Sequence, residues 1–151
     1  MREIIMIIAA CIGTLGFTLI YKTNPKHIPA ATFCGTLACG IFLFFDAIDA
    51  NLFISNFIAV AVTATICEIF AKVFRAPAAI FLLPSTIPLV PGGSLYYTMS
   101  NLIFGNYSAM AEYGKATLLT GLGIAAGMIT ASVIWNIIIH SVSSLSNTRK
   151  K

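Results

Sequence analysis

Long apolar runs alternate with short polar stretches along this chain. Each run holds at least 18 residues, and about that many are needed for a helix to cross a hydrocarbon core of about 30 Å. The pattern therefore predicts an all-α integral membrane protein with about five transmembrane helices in one polytopic domain. The predicted spans are residues 4–21, 28–45, 52–74, 76–104 and 116–140.

Composition supports a lipid bilayer as the surroundings of this chain. Apolar residues make up 58% of the sequence, charged residues 9%, and the mean hydropathy is +0.93, which is too apolar for a water-soluble domain of this size. The nine Lys and Arg residues are spread over several short clusters and form no basic face of the kind that binds phosphates. Nucleic acid is therefore not predicted as a partner.

The fourth apolar run is too long for one straight helix across a membrane. Residues 76–104 would rise about 44 Å as a helix, against a core of about 30 Å. The run carries a proline- and glycine-rich break at residues 84–93. Prolines remove backbone donors, and the two glycines permit left-handed dihedrals. The sequence therefore predicts that the fourth helix is broken.

This break is the predicted substrate or gate site. Irregular backbone at membrane depth persists only where protein covers it or water lines it, and half-helix N-termini can bind anionic substrate groups. The alternative is a proline kink that only shapes packing. Hydroxyls of the segment, including that of Tyr97, would add polar contacts. The predicted site residues are Pro84, Ser85, Thr86, Pro88, Pro91, Gly92, Gly93, Ser94 and Tyr96.

Glu68 is the acidic residue inside the third apolar run. Ionisable residues within spans commonly mark ion or proton pathways, so Glu68 is a candidate for proton coupling. The alternative is an interfacial ion pair with Lys72, four residues later on the same helical face. Asp46 and Asp49 are interpreted as a solvated turn, with capping of the third helix as the alternative.

Small residues recur at four-residue spacing in two spans, which permits close approach of helices in lipid. Ala31, Gly35 and Cys39 form one such stripe, and Gly123, Gly127 and Ala131 form the other. The four cysteines are interpreted as small hydrophobic residues, because they lack the spacing of a metal site. No catalytic nucleophile with a base is found, so no enzyme activity, metal or cofactor is predicted.

The distribution of basic residues predicts the orientation. With five crossings, seven Lys and Arg residues fall on one side and two on the other, whereas a re-entrant fourth segment would give five against four. The positive-inside rule therefore favours five crossings, with the N-terminus outside and a basic cytoplasmic tail at residues 141–151.

Several motifs resemble the threonine/serine exporter family. They are Glu68-Ile69-Phe70-Ala71-Lys72, Ala76-Pro77, Pro84, and Ile87-Pro88-Leu89-Val90-Pro91-Gly92, and the resemblance spans nearly the whole chain. It is closest to the small split subunit, which corresponds to the C-terminal half of the fused exporters. Tyr96 also falls where the family pattern has a tyrosine.

The resemblance implies a function and a partner. It implies an inner-membrane subunit that exports threonine and serine, is driven by the proton motive force and works with a larger membrane subunit. Some split pairs are associated with succinate export instead, and every suggested substrate bears a carboxylate. A homo-oligomer is an alternative assembly, and a non-transporting accessory or scaffold subunit is the competing function.

Overall fold

The computed structural model describes the backbone of residues 2–148 and the side chains of residues 3–139, and this part of the chain is helical with no strand. Four helices are long and apolar enough to cross a membrane, and one bent helix pair makes a fifth if it forms a single span. The predicted all-α membrane fold is therefore confirmed. The helices are α1 (Arg2–Ile20), α2 (Ile28–Ala47), α3 (Leu52–Phe74), α4 (Ala79–Thr86), α5 (Gly92–Ile103) and α6 (Tyr107–Thr148), with a 3-10 turn at Ile87–Leu89 between α4 and α5.

Four long helices stand side by side in the order α1, α2, α3, α6. Neighbours in this row pack extensively, whereas α4 lies across α2 and also contacts α1 and α3. Helix α5 packs mainly on the first turns of α6, where the rings of Tyr97 and Tyr113 lie 5.2 Å apart. The bundle is thus a row of helices with the half-length α4 laid on one side.

The row has two ends, named here by one residue each. The Lys22 face holds the α1–α2 turn and the α3–α4 turn, and the Asp49 face holds the α2–α3 turn. At the Lys22 face, the His27 ring lies edge-on to Phe74 and Phe81, with centroids 5.3 and 5.5 Å away. This aromatic cluster holds the start of α2 against the end of α3 and the start of α4.

Contacts between α3 and α6 show that these two helices run in the same direction. Gly123 lies against Phe53 and Asn56, and Gly127 lies against Phe57 and Val60. A fourth segment that turned back to its starting side would make α3 and α6 antiparallel. The chain from α4 through α5 therefore crosses the bundle, as the five-crossing prediction requires.

Both small-residue stripes lie at helix interfaces, as predicted. Ala31, Gly35 and Cys39 are buried in α2, and a side chain at Gly35 would overlap Thr14 of α1. Cβ atoms built at Gly123 and Gly127 would lie 2.7 and 2.8 Å from backbone carbonyl oxygens of α3. Glycine is thus required at both positions because the backbones approach so closely.

The last helix begins nine residues earlier than predicted. Residues 105–115 were expected to form a polar loop, but α6 starts at Tyr107. Ala, Met, Glu and Lys favour helix, and the Ala109 amide donates to Asn106 Oδ1 at 3.4 Å, which stabilises the first turn. Residues 149–151 of the predicted tail, and all side chains from His140 onward, lie outside the described part.

Four helices end with the same backbone motif, in which the first or second residue after the helix adopts a left-handed conformation. The amides of Lys22 and Thr23 donate to the carbonyls of Leu19 and Thr18 at 3.0 and 3.1 Å, which is the Schellman pattern. The equivalent left-handed residues after α2, α3 and α5 are Asp49, Arg75 and Gly105. The cap of α3 is Asn51, whose side chain accepts from the Phe53 amide at 3.0 Å, so neither Asp46 nor Asp49 caps it.

Asp49→Gly is expected to stabilise the protein. Asp49 has a φ of 53°, a conformation that costs residues with a Cβ about 1 kcal/mol and glycine almost nothing. The free energy of unfolding should therefore rise by about 1 kcal/mol, as measured by denaturation in detergent followed by circular dichroism. Asp46→Gly is the matched control: Asp46 lies inside α2, and a helical glycine should destabilise by about the same amount. A lower stability of Asp49→Gly would contradict this.

Candidate functional site

The break between α4 and α5 lies near the middle of the bundle. The two helical arms meet at an angle of 51°, and the residues between them are Val90, which is extended, and Pro91, with a ψ of 54°. Leu89 is buried in one cluster with Ala38 and Val60, which lie near the centres of α2 and α3. Helical backbone is therefore interrupted at mid-depth, although only over residues 87–91 rather than the predicted 84–93.

Pro84, Ser85 and Thr86 belong to α4 and are buried. The Ser85 hydroxyl donates to the carbonyl of Leu82 at 2.9 Å, and the Thr86 hydroxyl lies 3.2 and 3.1 Å from the carbonyls of Leu82 and Leu83. Proline inside the helix removes one backbone donor, and these hydroxyl bonds satisfy carbonyls nearby. The first arm of the site is thus packed tightly against α2 and α3, with Ser85 Oγ 3.6 Å from Cys67 Sγ.

The second arm of the site begins α5 and is open. Gly92, Gly93 and Tyr96 are exposed, and Ser94 is half-buried. Within the described chain, the Gly92 amide bonds to the Val90 carbonyl at 2.8 Å, whereas the amides of Gly93 and Ser94 have no backbone carbonyl partner. Free amides and the positive end of the helix dipole are the groups that accept an anion.

The expected role of the two glycines was wrong in one respect. Neither Gly92 nor Gly93 has a positive φ, because both already lie in the first turn of α5. A Cβ at either position would meet nothing within 4 Å. Because Gly92 and Gly93 have no side chains, the backbone amides in the first turn of α5 stay uncovered.

A cavity of about 300 Å³ lies against the break, and sequence reasoning had not predicted it. Its walls are Ile87 and Pro88, one side of α1 from Met6 to Gly13, and Cys39 of α2. The α1 residues share one helix face through their spacing of three and four, and Ala9, Ala10 and Gly13 are small enough to leave room. The run of small residues on this face of α1 is the sequence feature that could have predicted the cavity.

Glu68 lies apart from the break. It is half-buried on α3 and does not line the cavity beside Pro88. Lys72 turns toward α6, where its ammonium lies 5.9 Å from the centroid of the Trp135 ring, so the structure favours a cation–π contact for Lys72. The break and Glu68 are thus separate features, and proton coupling by Glu68 stays a prediction. No cluster of three or more metal-ligating side chains occurs in the described part.

A family model described as Threonine/Serine exporter, ThrE, matches residues 6–134. The chain belongs to the threonine/serine exporter family. As an exporter-family member, it is a multi-pass membrane protein of transport type, and the match runs from within α1 to within α6 and includes the break. No solved structure matches the chain.

Proposed function

We propose that this chain is a membrane subunit of a secondary exporter for small carboxylate-bearing metabolites, threonine and serine by family. The proposal includes a larger partner subunit, drive by the proton motive force, and an inner-membrane location with the Lys22 face toward the cytoplasm. The observation that carries it is the interrupted helix at mid-depth beside a cavity. The open amides at the start of α5 and the cavity beside Pro88 are what favour this function over a kink that only shapes packing.

The chemistry of the break suits a carboxylate. Backbone groups left unpaired in hydrocarbon cost several kcal/mol each, so the free amides of Gly93 and Ser94 favour an anionic or hydrated partner. The cavity beside Pro88 lies within the range of about 300–1,000 Å³ that small-molecule sites occupy. Its mostly apolar walls, on the α1 side of the break, offer a surface for the rest of a small metabolite.

The proposal is tested in proteoliposomes that contain the purified chain, alone and with its co-purifying partner. We expect uptake or release of labelled serine, threonine or succinate that follows an imposed pH gradient. Glu68→Gln should abolish dependence on the gradient while preserving exchange of substrate across the membrane. Glu112→Gln is the control, because Glu112 is exposed near the start of α6.

The outcomes separate the parts of the proposal. If no substrate moves in assembled complexes, the transport function is wrong. If Glu68→Gln remains fully coupled to the gradient, only the proton role of Glu68 is wrong. Transport by the partner alone at an undiminished rate would instead support the scaffold alternative.

A further inference from the structure

A second cavity lies at the Lys22 face, at the other end of α4. It measures about 240 Å³, and its walls come from the α1–α2 turn and from the first turns of α4. The turn contributes Tyr21, Lys22, Thr23 and Asn24, and α4 contributes Leu83 and Pro84 among others. No carboxylate belongs to this wall, so its one charge is the Lys22 ammonium.

The two cavities lie along the side of α1 that faces α4 and the 3-10 turn after it, which is called here the α1–α4 seam. The mid-depth cavity is lined by Gly13 and Pro88, and the cavity at the Lys22 face by Tyr21 and Pro84. Phe17 comes four residues after Gly13 on one face of α1, and Tyr21, whose amide donates to the Phe17 carbonyl at 2.9 Å, continues this face directly after the helix. Its ring lies 6.4 Å from that of Tyr21. Phe17 therefore occupies the helical turn that separates the cavities along α1.

The backbone at Lys22 is strained in a way that glycine would relieve. Lys22 has a φ of 50° at the left-handed position of the motif that ends α1. Glycine is the usual residue there, and other residues pay a conformational cost. The turn also places Lys22 in the wall of the cavity at this end of the seam.

We infer that Lys22 binds the substrate carboxylate at the mouth of a path along the α1–α4 seam, with Phe17 as the constriction before the mid-depth cavity. This rests on the proposed function and assigns it a binding group and a route. An ammonium in a cavity without competing carboxylates attracts a small anion or the carboxylate of a zwitterion. Threonine, serine and succinate each carry a carboxylate, so the same lysine could bind any of them.

Lys22→Gly tests the binding role without threatening the fold. The variant should fold at least as stably as the wild-type protein, because glycine suits the left-handed turn. Its KM for substrate presented at the Lys22 face should rise about tenfold, the equivalent of about 1.4 kcal/mol for one lost charge-assisted hydrogen bond, with kcat little changed. Lys22→Arg should recover part of the affinity.

Two control variants isolate the charge at position 22. Asp49→Gly makes the same backbone change at the opposite face, and Lys26→Gln removes a charge from the same turn without touching the cavity. Both should keep the wild-type KM. An unchanged KM in Lys22→Gly, in a protein that transports, would overturn the inference while leaving the proposed function intact.

The route is tested without any transport. Cys39 lines the mid-depth cavity and reports whether water-soluble reagents reach it. A charged methanethiosulfonate is applied from the Lys22 face, and the modified cysteine is located by peptide mass spectrometry. Cys39 should react about tenfold faster in Phe17→Ala than in the wild-type protein, a rate ratio that corresponds to about 1.4 kcal/mol.

Leu15→Ala is the matched control for the constriction. Leu15 is exposed on the opposite side of α1 from Gly13 and Phe17, so its truncation should leave the rate of Cys39 modification unchanged. Equal rates in wild type and Phe17→Ala, or equal increases in both variants, would overturn the route. The rate of Cys39 modification tests the route even if serine, threonine and succinate are not transported, because the measurement needs no substrate.

Discussion

Gly127→Leu is expected to prevent α6 from packing on α3 and to leave little folded protein. A Cβ at this position would lie 2.8 Å from the carbonyl oxygen of Phe57, 3.0 Å from Val60 Cβ and 3.1 Å from the Ala61 amide. Two of these atoms belong to the α3 backbone and cannot rotate away. Overpacking commonly costs about 1–3 kcal/mol, and a clash with backbone should reach or exceed the upper end.

The yield of monodisperse protein after size-exclusion chromatography and the unfolding midpoint measure this effect. Gly127→Ala should lower the midpoint less than leucine does, since only one carbon must be accommodated. Gly121→Leu is the control, because a Cβ at Gly121 meets nothing within 4 Å and the position is exposed. A Gly127→Leu protein as stable as the wild type would show that α3 and α6 do not meet as described.

Gly13→Phe is expected to abolish transport while leaving the fold intact. Gly13 lines the mid-depth cavity, and a Cβ added there meets nothing within 4 Å. A phenyl ring can therefore enter the cavity without displacing backbone, and it would fill the space beside Pro88 that a substrate needs. Transport in proteoliposomes should fall by at least about tenfold, which corresponds to about 1.4 kcal/mol of lost substrate stabilisation.

Gly40→Phe provides the comparison for this blockade. Gly40 lies in α2, has equally open space around its Cβ and does not line the cavity. It should transport and unfold as the wild type does. Full activity of Gly13→Phe in a folded complex would mean that the mid-depth cavity is not on the substrate path.

Much of the fold could be predicted because lipid imposes strong rules on sequence. Charges mark the turns, and the excess length of residues 76–104 together with Pro88 and Pro91 identified the broken helix. The α6 boundary was missed because Glu112 and Lys115 were interpreted as a loop. Charged residues indicate that a segment is exposed to water, but they do not show that a helix ends there. Glu and Lys both favour helix.

The position of the helix break was predicted, but the arrangement of the residues around it was not. The pattern could not show that the Ser85 and Thr86 hydroxyls bond to their own helix, because rotamers depend on neighbouring helices. It also could not show that Gly13 and Pro88 share a cavity, since they are distant in sequence. The left-handed Lys22 follows from how α1 ends, which residue type alone does not reveal.

The short length of α4 makes the wall of the bundle unequal in the two membrane leaflets. In the leaflet of the Lys22 face, α4 forms a second layer over α2, α1 and α3, whereas beyond Leu89 the chain turns away to pack on α6. On the side of α1 and α2, the opposite leaflet is therefore only one helix deep beyond the mid-depth cavity. A solute that passes Phe17 has left the half of the protein that is two helices thick. Beyond that point, only one layer of helices lies between the solute and the far surface of the bundle.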